Sequence, residues 1–204
     1  MFTSYQLALL GCFITVICWG SWSNVQKATQ GKWPFQFLYW DYTIGFLLVS
    51  LLMFFFSKKE YSFLISLSSA DLKHVFFALL GGIIFNFGNI LIVVAIELAG
   101  LAIAFPLVMG IAMVWGVFIN YLLIPNAQTN ILFTGVGLVV IAIFLNSLIY
   151  KLTSKSHQNN VIKGILVSIV GGLILGSFYF FIAKSMSGET GSLSALSALV
   201  LLAT

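Results

Sequence analysis

Polar residues fall along this chain in clusters. Between the clusters lie apolar runs of about 20 residues, the length an α-helix needs to cross a bilayer core. No charge occurs before Lys27, and Leu7 to Ser23 is apolar enough to form a first span. Lys27 to Lys32 is polar, and Pro34 opens a second run that ends at Lys58-Lys59-Glu60. Residues 61–73 mix Ser66, Ser68, Ser69, Asp71 and Lys73 with apolar positions and read as an amphipathic connector. A third run extends from His74 to Ile96. Leu98 to Tyr150 then carries no charge, and its polar break at Pro125-Asn126-Ala127-Gln128-Thr129-Asn130 divides it into spans four and five. Lys151 to Lys163 is a hydrophilic loop, with His157 among Ser154, Gln158, Asn159 and Asn160, and a sixth span covers Gly164 to Ala183. A seventh starts at Leu193; up to Thr204 it would reach roughly 18 Å as a helix, too short for a core of about 30 Å.

The pattern predicts an all-α, polytopic membrane protein: six complete transmembrane helices plus the start of a seventh. Outer-membrane barrel strands, about 10 residues long and alternating in polarity, are excluded. The expectation is a piece of a longer transporter-like chain, against a six-span protein with an interfacial tail.

Composition agrees. Of 204 residues 61% are hydrophobic and only 7% charged, against about 25% charged in soluble domains; the mean hydropathy is +1.11. The nine lysines, with no arginine, are scattered in ones and twos, which argues against a nucleic-acid partner and for membrane anchors. Lys27, Lys32, Lys151, Lys155 and Lys163 fall on one side, and Lys58, Lys59, Lys73 and Lys184 on the other, too small a bias to orient the protein. Cys12 and Cys18, both in the first run, point to different helix faces and predict no disulfide. No basic segment precedes the first run, so it does not read as a cleaved signal.

Sliding the chain against itself by about 156 residues aligns Gly20-Ser21-Trp22 with Gly176-Ser177-Phe178. Five spans per repeat would start the second copy in the opposite orientation, the plan of inverted-topology carriers with a midplane binding site. On that plan residues 1–150 are a first five-helix repeat, 151–163 an inter-repeat loop, and 164–204 the truncated start of a second repeat. Chance matching of two apolar helices is the alternative.

Polar groups inside spans are costly and are functional candidates by default. Asp41 sits on the order of 10 Å into span two, within Tyr39-Trp40-Asp41-Tyr42. It either faces a polar cavity, pairing with Lys27 or titrating, or belongs to an interfacial aromatic belt. Trp19, Trp22 and Gln26 share one face of span one, with Asn24 and Lys27 beside them. Stacking on Trp22 and hydrogen bonds from Gln26 and Lys27 would suit a flat polar ligand; an interface belt is the plainer reading. Asn86 and Asn89 form a mid-membrane stripe that either binds a polar ligand or joins helices. Glu97 is interfacial, or a proton site if the Leu98-Ala99-Gly100 turn is buried. Asn120, near the end of span four, and His157 read as interfacial and loop residues. Gly20 permits close helix approach, Pro106 should kink span four, and Gly172-x-x-x-Gly176 is a small-xxx-small packing stripe. Gly100 and Gly110 complete the candidate hinge and packing positions.

No H-E-x-x-H, G-x-S-x-G, G-x-G-D or G-x-x-x-x-G-K-[ST] pattern occurs, so the chain reads as no enzyme, with no metal site and no cofactor. An intramembrane enzyme and a non-transporting accessory or oligomeric protein are the readings from other classes.

Cys18-Trp19-Gly20-Ser21-Trp22-Ser23-Asn24 with Gln26-Lys27, then Tyr39-Trp40-Asp41-Tyr42, resembles the ureide-permease and glucose/ribose-porter branch of the drug/metabolite transporter superfamily. The resemblance continues through Gly88-Asn89-Ile90-Leu91, Ala99-Gly100-Leu101-Ala102, Ala104-Phe105-Pro106 and Gly110 to Asn120-Tyr121. It implies a ten-helix, 5+5 inverted-repeat permease moving a small polar metabolite (a ureide, nucleobase or sugar) by alternating access. It also implies a proton or other coupling ion as driving force, with Asp41 and Glu97 as coupling candidates and a homodimer as a further option. Trp19, Trp22, Asn24, Gln26, Lys27, Trp40, Asp41, Asn86 and Asn89 would be the substrate-binding set. A sugar porter of the same superfamily is the nearest alternative, and the family's members need all ten spans. Glu97 departs from the small apolar residue expected there. The short loop Lys151 to Lys163 lacks the plant members' phosphate-binding-like motif, which points to a bacterial inner membrane.

Overall fold

The computed structural model describes residues 4–29, 32–56, 65–123, 128–153, 160–188 and 191–203. These form seven helices: α1 (Ser4–Thr29), α2 (Phe35–Phe56), α3 (Leu72–Ala99), α4 (Leu101–Leu123), α5 (Thr129–Thr153), α6 (Val161–Ser185) and α7 (Ala195–Ala203). No strand occurs among the described residues. Hydrocarbon offers no partner for a peptide group, so an apolar run must satisfy its N–H and C=O groups within its own helix. Four helical segments are long and apolar enough to cross a membrane: Leu72–Ala99, Leu101–Leu122, Thr129–Asn146 and Val161–Ser185. Gln6–Trp22 and Phe37–Leu52 are shorter apolar stretches of α1 and α2. The protein is a multi-pass membrane protein.

The helices overrun several boundaries expected from charge. α1 continues through Lys27 to Thr29, α5 reaches Thr153, and α6 already contains Lys163. Lysine and alanine are good helix formers, so a helix that has left the hydrocarbon continues until a breaker or cap stops it. α3 begins at Leu72, and in the expected connector 65–68 forms a single helical turn. Residues 57–64, 124–127 and 154–159, including Pro125, Asn126 and His157, lie outside the described residues.

The chain divides into two compact units, one up to Ile44 and one from Gly45 onward. In the second unit α3, α4 and α6 make the core. α6 runs antiparallel to α3: Gly164 lies against Ala99, Gly171 against Leu91, Gly88 against Leu175 and Gly81 against Ile182. It runs parallel to α4, with Gly172 on Val108 and Ile111, and Gly176 on Ala112. The predicted small-residue stripe is therefore a packing seam, and it faces α4. Glycines let backbones approach closely enough for dispersion to replace the hydrophobic effect that lipid does not supply. Buried Ile92, Val93, Val108 and Leu175 fill the spaces between.

Gly100 alone separates α3 from α4. Its φ of 83° lies in the left-handed region that a side chain disfavours, and its N–H caps α3 by donating to the Ile96 carbonyl. Pro106 sits inside α4, which continues through it as one helix. α5 packs along α4, with Gly110 against Ile143, and its outer residues Ile131, Leu138 and Phe144 are exposed, as lipid-facing positions are. α7 runs parallel to α3 and lays Leu202 against Gly82. Its start is tied down by Ser194, whose N–H donates to Ser66 Oγ (2.8 Å) and whose Oγ accepts from Ser197 N–H (3.2 Å).

Candidate functional site

In the first unit several candidate residues gather where α1 gives way to α2. α1 closes when Lys32 and Trp33 both donate their N–H groups to the Thr29 carbonyl, each at 3.0 Å. Pro34 starts α2 and accepts from the N–H of Phe37. This tight link places Trp33 beside the second turn of α2, where its Nε1–H donates to Asp41 Oδ2 at 3.1 Å. Sequence reasoning missed Trp33 as a partner. The usable signal was its spacing of eight residues from an intraspan carboxylate, across a proline that fixes the direction of the turn.

Aromatic rings enclose the same level. Trp22 and Tyr42 approach to 5.7 Å between centroids, Tyr39 and Tyr42 to 5.9 Å, and Trp33 and Phe37 to 5.9 Å, all tilted. Trp22, Tyr39 and Tyr42 are half-buried, whereas Trp19, Asn24, Trp40 and Asp41 are exposed. The structure thus joins α1 to α2 through Trp22 and Tyr42. The side chains of Gln26 and Lys27 lie outside the described residues, and with them the expected Lys27–Asp41 pair. A carboxylate held by one indole N–H, with aromatic faces nearby, can accept hydrogen bonds from a polar solute or carry a proton. A Cβ at Gly20 would meet nothing within 4 Å, so the close approach expected there does not appear in the described contacts.

In the second unit Asn86 is half-buried and Asn89 is 4% exposed, and the Nδ2 of Asn89 has no hydrogen-bond partner among the described residues. Glu97 is exposed near the end of α3. Gly110 is buried, and Asn120 donates to the Gly116 carbonyl at 2.8 Å. A polar contact that sequence reasoning missed lies mid-span: Trp115 Nε1–H donates to Ser177 Oγ at 3.0 Å, and Ser177 in turn donates to the Leu173 carbonyl. Ser177 is the serine of the Gly-Ser-aromatic echo, and its counterpart Ser21 makes the same kind of back-bond, to the Cys18 carbonyl. Phe85 and Phe178 pack at 5.0 Å one residue away. No group of three or more His, Cys, Asp or Glu that could hold a metal occurs among the described residues.

The comparisons with known proteins converge on one family. Residues 38–169, from α2 into α6, match the family model described as ureide permease. Probable ureide permease A3 of Vigna unguiculata is 28% identical over 198 residues, 92% of this chain and 52% of that protein. Ureide permease 1 and ureide permease 2 of Arabidopsis thaliana are 26% and 30% identical, each over 74% of this chain and over 41% and 40% of their own lengths. The chain spans about half the length of the curated relatives it matches, or somewhat less. No solved structure matches it. These relatives are transporters, not enzymes, and on the extent of the family match the chain belongs to the ureide permease family.

Proposed function

We propose that this chain is part of a secondary active permease that moves a small polar metabolite, such as a ureide, nucleobase or sugar, across a cell membrane by alternating access. The observation that carries the reading is the family match over α2–α6, which begins just ahead of the aromatic-lined carboxylate Asp41. On this reading Asp41 and Lys27 are the charge-bearing pair, and Trp19, Trp22, Asn24, Gln26, Trp40, Asn86 and Asn89 are the further substrate-binding candidates. A proton is the coupling ion, taken up at Asp41, with Glu97 as second candidate.

The architecture we infer is the 5+5 inverted repeat of the drug/metabolite transporter superfamily, with 1–150 as first repeat, 151–163 as linking loop and 164–204 opening the second. Gly20, Gly100, Pro106 and Gly110 would then serve bending and packing during the transport cycle. The short loop after α5 and the arginine-free composition favour a bacterial inner membrane, and two copies would form the homodimer.

The test is counter-flow of labelled allantoin in proteoliposomes carrying the full gene product. Asp41→Asn should abolish counter-flow while leaving the thermal unfolding curve in place; retained counter-flow refutes the role of Asp41. Competition by glucose or ribose in place of allantoin would select the sugar-porter reading. Stable co-purification with another subunit, and no counter-flow of either solute, would select the accessory reading.

A further inference from the structure

The first half of α3 has two faces of different character. Ala78, Gly81, Gly82 and Phe85 are buried, with Gly81 against Ile182 of α6 and Gly82 against Leu202 of α7. On the opposite side Leu72, Phe76, Leu79 and Ile83 recur at helical spacing and are all exposed, Leu72 at 84% and Phe76 at 59%. Where this stripe begins, Leu72, Val75, Phe76 and Leu79 line an open groove of about 500 Å³, and Lys73 is the remaining lining residue. From Leu72 to Leu79 the groove follows the helix for about 10 Å.

The charges around it are arranged unevenly. α6 ends at this level, where His74 donates its Nδ1–H to the Lys184 carbonyl at 3.2 Å. The Lys184 ammonium is engaged by aromatic faces, 5.2 Å from the Phe77 centroid and 5.3 Å from that of Phe180. Asp71 is the nearest acid in the chain, and it is held on another side: its N–H donates to the Gly191 carbonyl, and a Cβ on Gly191 would lie 2.6 Å from its carboxylate. Two residues apart on a helix, Asp71 and Lys73 point about 200° apart. Lys73 is exposed and has no carboxylate partner among the described residues. Its charge is thus left to the groove.

We propose that this groove binds an anionic phospholipid, with an acyl chain along Leu72, Val75, Phe76 and Leu79 and the negative headgroup on the Lys73 ammonium. Four apolar side chains and one cation fit an occupant with a long apolar body and a single negative end. Lysine reaches such a headgroup by laying its methylene stem on apolar surface and lifting its ammonium to the interface. Any lipid tail can cover the apolar stripe, so discrimination between lipids rests on Lys73. A protein helix laid over the same face would instead have to bring an acid opposite that lysine.

The experiment places a photo-crosslinker in the groove, as Phe76→benzoylphenylalanine, in the full gene product. The protein is reconstituted in vesicles of equal parts phosphatidylglycerol and phosphatidylcholine, and the lipid adducts are identified by mass spectrometry. Phosphatidylglycerol adducts should exceed phosphatidylcholine adducts roughly fivefold, the effect of one lysine at a membrane surface. Adding Lys73→Gln should bring the ratio to about one without lowering the melting point, and Lys73→Arg should keep the enrichment. The same probe at Leu138, exposed on α5, should give a ratio of about one. A ratio of about one at position 76 with Lys73 intact, or enrichment that survives Lys73→Gln, would overturn the proposal. Equal enrichment at Leu138, or an equal loss in Lys184→Gln, would show a diffuse surface potential and overturn it as well. Adducts to peptide in place of lipid would show that a helix of the same or another chain covers this face, and would also overturn it.

Discussion

A methyl group at position 176 is the sharpest probe of how this fold is held. An ideal Cβ built on Gly176 would lie 2.5 Å from the Ala112 carbonyl oxygen and 3.1 Å from the Ala112 Cα. A comfortable carbon–oxygen contact is about 3.3 Å, so α6 and α4 would have to separate by about 0.8 Å. Both crowding atoms are backbone, and no flexible side chain can swing aside. The separation would spread along the seam, where Gly172 already lies on Val108 and Ile111, and Gly116 on the Gly176 carbonyl. Overpacking of this kind costs about 1–3 kcal/mol, and the gain in helix propensity from glycine to alanine returns about 0.5–1 kcal/mol. The net loss is about 1–2 kcal/mol, a fall in Tm of roughly 2–8 °C for a chain of this size.

The assay is thermal unfolding in detergent followed by circular dichroism, with Gly137→Ala as the matched control. Gly137 is exposed on α5, and a Cβ there would meet nothing within 4 Å, so its substitution should leave Tm unchanged or slightly raised. Gly176→Ala melting at or above the Gly137→Ala variant would refute the close-packed seam.

Two other contacts give direct predictions. Gly191 has φ 69°, and a Cβ there would lie 2.6 Å from the Asp71 carboxylate; Gly191→Ala should therefore destabilise by about 1–3 kcal/mol, read as a lower melting point, and an unchanged Tm would show that the 191–194 segment does not hold α7 to α3. Trp33→Phe keeps a ring but removes the 3.1 Å donor to Asp41; it should weaken solute counter-flow roughly five- to tenfold with little change in melting, and unaltered counter-flow would show that this hydrogen bond does not position the carboxylate.

Much of the architecture was legible because lipid makes the rules strict. Lys73 and Lys163 mark the neighbourhood of helix ends, since a charge in hydrocarbon is expensive. The stripe Gly172-x-x-x-Gly176 announced a close approach for the same reason that any small-residue stripe does in a membrane. Its partner helix was not legible. A stripe states how near a neighbour comes but not which one, and Val108, Ile111 and Ala112 carry no mark that separates them from other apolar residues. The ends of α1 and α5 were read short because charge reports where lipid stops, whereas Lys27, Ala28 and Lys151 sustain a helix in water as well.

The candidate site divides along the same line. Asp41 and Asn89 stood out from sequence because each is a polar group in an apolar run, and a single position suffices to see that. Trp33 and the Trp115–Ser177 bond did not, because each is a relation between positions. Trp33 reaches Asp41 only because Pro34 starts α2 one residue later and the Thr29 carbonyl gathers both preceding N–H groups. Trp115 meets Ser177 only because α4 and α6 run parallel in a register that the glycines set. Asn89 is the instructive case between them. Sequence could not tell a helix-joining amide from a ligand-binding one, since both need a polar residue at that depth. The two differ in whether a partner is present in the folded chain, and the amide nitrogen of Asn89 has none among the described residues.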